Sequence, residues 1–120
     1  MNSKLYPGPR FLEAVKKLSK KYPSFPDDLA TLLSSLRENP IQGRSLGRGN
    51  YKIRLAIKSK RQGKSGGARV ITHVDLIVKS SQYTSVVDLI MVYDKANVDT
   101  VSTADVTAWT TEVISLREEE

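Results

Sequence analysis

Tyr51-Lys52-Ile53-Arg54-Leu55-Ala56-Ile57-Lys58 is the stretch on which the fold of this chain turns. Ile53, Leu55 and Ile57 alternate with Lys52, Arg54 and Lys58, the period of a strand with one apolar face and one cationic face. Ala68–Val78 repeats the pattern: Val70, Val74, Leu76 and Val78 share one face, and Arg69, Ile71, His73 and Asp75 share the other. Between them, Ser59–Gly67 reads as a basic, glycine-containing loop. Pairing the two segments as a hairpin turns their polar faces the same way, so that Lys52, Arg54, Arg69 and His73 gather on one side. The loop, with Lys58, Lys60, Arg61 and Lys64, is expected to overhang them.

The neighbouring segments complete the layout. Val86–Tyr93 is almost continuously apolar, as in a central strand covered on both faces, and Lys79–Ser85 reads as a polar connection. Towards the N-terminus, residues 41–50 hold three glycines and read as a loop. Phe11, Val15, Leu18 and Tyr22 follow helical spacing until Pro23. Ser24 and Asp27 look like the start of a second helix through Phe25, Leu29, Leu32, Leu33 and Leu36, which ends before Asn39-Pro40. Residues 3–6 suggest a short strand stopped by Pro7 and Pro9. Ser102 and Asp105 open a last helix carrying Val106, Trp109, Val113 and Ile114, and the acidic tail, residues 117–120, is expected to fray. The predicted fold is therefore α+β in one domain spanning residues 1–120. Its parts are a short N-terminal strand, a helical hairpin, a three-stranded antiparallel meander and a C-terminal helix.

Charge is distributed unevenly along this chain. Of 120 residues, 19 are Lys or Arg and 13 are Asp or Glu. No acidic residue occurs between Glu38 and Asp75, a window holding nine cations: Arg44, Arg48, Lys52, Arg54, Lys58, Lys60, Arg61, Lys64 and Arg69. The other 10 basic residues are outnumbered by the 13 acidic ones, so the basicity is local. A local excess concentrates phosphates, which points to RNA or another polyanion. Cysteine is absent and His73 is the single histidine, which removes disulfides, thiol chemistry and multi-histidine metal sites. No metal or other cofactor is expected. There is no apolar run of membrane-spanning length, and Met1–Arg10 lacks the apolar centre of a secretory signal, so a cytoplasmic location without membrane association is expected.

The cationic face also suggests a reaction. Arginine can offer two donors to phosphate oxygens, and lysine supplies a point charge. A lysine held among arginines gives up its proton more readily through like-charge repulsion, so such a site can supply a neutral amine. Lys52 is then the candidate base for a ribose 2′-hydroxyl, with Arg54 and Arg69 stabilising charge on the phosphorane. Tyr51 and Tyr93 flank strands and could stack a base, although packing is the expected role of Tyr93. Gly43, Gly47 and Gly49 do not form a nucleotide-hydrolase phosphate loop, because no Gly-Lys-Ser/Thr follows at the required spacing.

The assembled residues resemble the RelE/HigB branch of type II toxins, the endoribonucleases of toxin–antitoxin modules. The likeness spans Phe11-Leu-Glu-Ala-Val-Lys-Lys-Leu, Asn39-Pro40-Ile-Gln-Gly43, Tyr51–Lys60, Gly63–Thr72 and Val92-Tyr-Asp-Lys95. It implies a fold similar to the microbial ribonucleases, with the helical hairpin packed on the sheet. It also implies cleavage of messenger RNA by 2′-hydroxyl attack, commonly in the ribosomal A site, and neutralisation by a small cognate antitoxin. The family's basic pair falls on Lys52 and Arg54, and the arginine opening its next strand falls on Arg69. Arg48, Tyr51, Lys58, Lys60, Arg61, Lys64, His73 and Lys95 are the expected RNA contacts. Two departures stand out: Ala96 occupies a position where many members carry arginine, and no tyrosine follows Tyr93. Another branch with this fold poisons DNA gyrase, so a gyrase inhibitor and a non-catalytic RNA-binding module are the alternative readings.

Overall fold

The computed structural model describes residues 3–60, 66–98 and 101–120. In chain order the elements are β1 (Lys4–Pro7), α1 (Pro9–Lys21), α2 (Phe25–Glu38), β2 (Arg44–Gly47), β3 (Asn50–Leu55), a 3₁₀ turn (Lys58–Lys60), β4 (Ala68–Lys79), β5 (Gln82–Asp94) and α3 (Thr103–Glu118). The α+β class stands, but the sheet is larger than the expected meander. Five strands run in the order β1-β5-β4-β3-β2, with β1 parallel to β5 and the other pairs antiparallel.

Each added strand has a local cause. β1 lies along β5, Lys4 facing Val86 and Pro7 facing Leu89, and Pro7 closes the strand where a ladder donor would otherwise be needed. β2 arises inside the segment read as a loop. Gly43 has φ +87°, and a Cβ there would lie 2.3 Å from the Lys52 carbonyl oxygen, so only glycine lets this backbone approach β3. Arg44 then pairs with Lys52, and Ser45 with Tyr51. The β2–β3 turn runs through Gly47, Arg48 and Gly49, all with positive φ. At the other end of the sheet, Ser80 and Ser81 have φ of 50° and 64°, the backbone of a two-residue hairpin turn. The polar connection expected over Lys79–Ser85 is therefore mostly strand.

β3 stops at Leu55, short of the expected Lys58, because the start of α2 captures the chain that follows. Asp28 accepts the Lys58 amide at 3.0 Å, and Ser24 Oγ accepts the Ser59 amide at 2.8 Å. Ser24 also donates to Asp28 Oδ2 at 2.7 Å, so its hydroxyl serves this junction and does not cap α2.

The sheet is covered on both faces. Phe11 and Leu18 of α1, with Phe25, Leu29, Leu32 and Leu36 of α2, pack on Ile53, Leu55, Val70, Val87, Leu89 and Val92. On the other face Val106 and Val113 of α3 pack on Ile71, Ile90 and Tyr93. The β4–β5 register slips at one point: Ile71 faces Met91 and Thr72 faces Leu89, which leaves Ile90 as the extra residue of a bulge. Beyond the bulge Asp88 pairs with His73, on the α3 face. Asp88 is fully buried there, and Arg117 of α3 reaches it with Nε at 2.7 Å and Nη2 at 3.2 Å. The tail follows α3 back to the sheet, where Tyr6 Oη donates to Glu120 at 3.0 Å. Among the described residues no helix is long and apolar enough to cross a membrane.

Candidate functional site

α3 covers only part of its face of the sheet. The uncovered part, beside β2, β3 and the ends of β4 and β5, holds a cavity of about 560 Å³. Among the described residues, five cations line it, Arg44, Lys52, Arg54, Arg69 and Lys95, together with Gln42, Gly43, Ile53 and Tyr93, and none of these lining residues is acidic. Lys52, Arg54 and Arg69 are thus brought together, as the alternation along β3 and β4 implies. Lys95 joins them from the end of β5, where its amide donates to the Gly67 carbonyl at 3.0 Å.

The register sharpens this arrangement. Arg44 lies directly opposite Lys52, and Arg54 directly opposite Arg69, so two neighbouring cross-strand pairs each match like charges on one face. Such pairs oppose folding by a few tenths to about 1 kcal/mol each. Arg69 is the most enclosed of the cations, 7% exposed, and its Nη1 donates to the Ala68 carbonyl at 3.1 Å. Tyr93 faces Arg69 across the β4–β5 ladder. Burial pushes the Tyr93 phenol up, with Arg69 pulling the other way, so the hydroxyl stays a proton-bearing donor at neutral pH.

Other expected contacts fall elsewhere. Lys60, expected on the overhanging loop, has a buried ammonium instead, with Nζ 2.7 Å from Asp94 Oδ1 and its side chain 7% exposed. Asp94 gathers several donors: besides Lys60 it accepts Tyr22 Oη and the Ala96 amide. Burial alone would raise the Asp94 carboxyl, but the bonds from Lys60, Tyr22 and Ala96 outweigh it and hold that carboxyl below its ordinary range. His73 shares a face with Lys52 and Arg69 but lies further along β4, with Nδ1 3.3 Å from Asp88. Tyr51 pairs with Thr72 and points to the opposite face from Lys52. Lys58 is exposed in the 3₁₀ turn and does not line the cavity. Arg48 lines a second, adjoining cavity. Arg61 and Lys64 lie outside the described residues.

Two lining residues, Arg44 and Tyr93, are not among the site residues expected from the sequence. Arg44 falls in the segment taken as a loop; the glycines at 43 and 47 that bound β2 are the signal that could have found it. Tyr93 looks like a core aromatic because its neighbours are apolar, and its position opposite Arg69 depends on the register set by the bulge. Among the described residues no group of three or more His, Cys, Asp or Glu could hold a metal ion. No protein-family model matches this sequence, and comparison with curated proteins finds no match.

Proposed function

We propose that this chain is an endoribonuclease of the RelE/HigB toxin kind, cleaving single-stranded messenger RNA through side chains alone. The observation that carries the reading is the pair of opposed cationic rows, Arg44 with Lys52 and Arg54 with Arg69, lining a cavity with no carboxylate among its described residues. A phosphate seated between those rows meets cations from both strands. The helical hairpin packed on the sheet supports the same reading.

In this mechanism Arg54 and Arg69 hold the scissile phosphate through its non-bridging oxygens. Lys52 takes the proton of the 2′-hydroxyl as its oxygen bonds to phosphorus. The bond from phosphorus to the 5′-oxygen breaks, leaving a 2′,3′-cyclic phosphate and a 5′-hydroxyl. Tyr93 donates to the charge that builds on the phosphorane, and the Lys95 ammonium gives its proton to the leaving 5′-oxygen, which departs as the hydroxyl. The ribosome as the place of action and a cognate antitoxin as the inhibitor are what the family resemblance adds.

Primer extension on translated messages after induction tests the reading. Wild type is expected to give discrete cuts that Lys52→Ala and Arg69→Ala abolish; identical patterns from all three would overturn the assignment. Intact message with blocked replication would instead favour the gyrase-directed reading.

A further inference from the structure

The cationic cavity does not end at Lys52. A second cavity, about 340 Å³, opens between the β2–β3 turn and the first turns of α3, and both Lys52 and Tyr93 line the two spaces. Its character differs from that of its neighbour. The floor is apolar, formed by Leu46, Ile71, Tyr93 and Val106, of which Ile71, Tyr93 and Val106 are buried. Thr107 brings a polar group to the same lining, and Asn50 braces it, its amide nitrogen donating to the Thr72 carbonyl and to Thr110 Oγ1. Arg48 contributes from a backbone with φ +54°, a conformation that an arginine rarely adopts and that must be held by its surroundings. Gly47 and Gly49 on either side share the positive φ and carry the turn.

We infer that this second cavity is a nucleobase subsite, seating the base next to the phosphate held over Lys52, Arg54 and Arg69. This rests on the RNA-binding reading of the first cavity. The size is at the small end of ligand pockets, which span roughly 300–1,000 Å³, and suits a single base better than a larger ligand. An apolar floor with an aromatic edge and a few polar groups is what a base requires, with its flat faces on carbon and its edge in hydrogen bonds. Arg48 adds a guanidinium plane over which a base can stack. Continuity points to the occupant: Lys52 and Tyr93 line both cavities, so the two spaces adjoin. An RNA strand is a ligand that carries a phosphate and a base side by side. Sequence preference of cleavage is then set by the lining from Leu46 to Thr107, apart from the catalytic cations.

The test uses the full chain and short RNA oligomers carrying 2′-O-methyl groups, which bind without being cut. Binding of an intact oligomer is compared with that of the same oligomer lacking one base, by fluorescence anisotropy. Wild type is expected to bind the best-placed abasic oligomer about tenfold more weakly than the intact one, the scale of one stacked base. Filling the cavity from α3, by Thr107→Phe or by Thr103→Phe at an exposed first-turn position, should collapse that ratio towards one. Two folded variants with the wild-type ratio would overturn the subsite while leaving the phosphate site standing. Failure of wild type to bind any oligomer would bring down the RNA-binding reading, and the subsite with it.

Discussion

Two kinds of charge cluster lie within one small sheet, and they are built on opposite principles. At the end of β5, Asp94 is enclosed by Lys60, Tyr22 and the Ala96 amide; under α3, Asp88 is enclosed by Arg117 and His73, with Asp75 joining through Arg117. In each, a buried carboxylate meets donors at hydrogen-bond distance, which is how charge is tolerated away from water. Burial would lower the Arg117 guanidinium, but its bonds to Asp88 and Asp75 outweigh this and raise it. In the cationic cavity like charges face each other across the ladder, and among the described residues no carboxylate lines the space. The closed clusters fasten elements together, while the open one is arranged for something that comes from outside.

The sharpest break between the two is expected in catalysis. Lys52→Ala should reduce cleavage of a single-stranded RNA by about 10²- to 10⁴-fold, the range for losing a general base. Its thermal unfolding should stay within about 0.5 kcal/mol of wild type, as for most surface positions. A stability loss matching the activity loss would mean that Lys52 belongs with the fasteners.

Asp94→Asn is the mirror experiment. It leaves the Lys60 ammonium buried without its carboxylate, and removal of one partner of a buried pair is expected to cost about 3–5 kcal/mol, read as the denaturant midpoint. The sign of the pH dependence follows from the lowered Asp94 carboxyl. A depressed folded-state value contributes stability above the ordinary carboxylate range, about 3.9, and that contribution is lost as pH falls through the folded value. Wild type should therefore lose stability on acidification more steeply than Asp94→Asn. Parallel pH profiles would show that Asp94 is not the group responsible.

The comparison also explains what could be seen from the sequence. The open cluster was legible because alternation along one strand and its hairpin partner assigns Lys52, Arg54 and Arg69 to a face without knowledge of distant elements. The closed clusters were not. Lys60 looks like any other lysine of a basic loop, and its partner Asp94 is 34 residues away across the sheet. Likewise, Leu89, Ile90 and Met91 are all apolar, so nothing in that run marks Ile90 as the bulged residue that sets which face Asp88 takes. β2 is hidden for another reason: three residues between glycines are too few to carry a period, and only the pairing with β3 makes a strand of them.

Salt gives a finer measure of the open cluster. RNA binding should weaken with ionic strength, with a slope in log Kd against log salt of about 0.7 for each phosphate neutralised on a single strand. Arg44→Ala and Arg54→Ala should each reduce the slope by up to about that amount, in anisotropy titrations of a 2′-O-methyl oligomer from low to physiological salt. A slope unchanged in both would place the bound strand away from the opposed rows.

The smallest expected effect is the most discriminating. Arg54 is exposed on β3 and faces Arg69, so Arg54→Ala removes a like-charge opposition from the folded state. Relief of such a pair is expected to stabilise the chain by a few tenths to about 1 kcal/mol, although alanine is a poorer strand former and offsets part of the gain. Arg54→Gln keeps most of the side chain's reach and removes the charge, so the gain should be clearer there, and it should shrink as added salt screens the repulsion. The same substitution must weaken RNA binding. Opposite signs for stability and binding are the mark of a residue placed against the interests of the fold. If Arg54→Gln instead lowers stability at low salt, the opposed rows are relieved within the chain itself, and the contrast between the open and the closed clusters loses its basis.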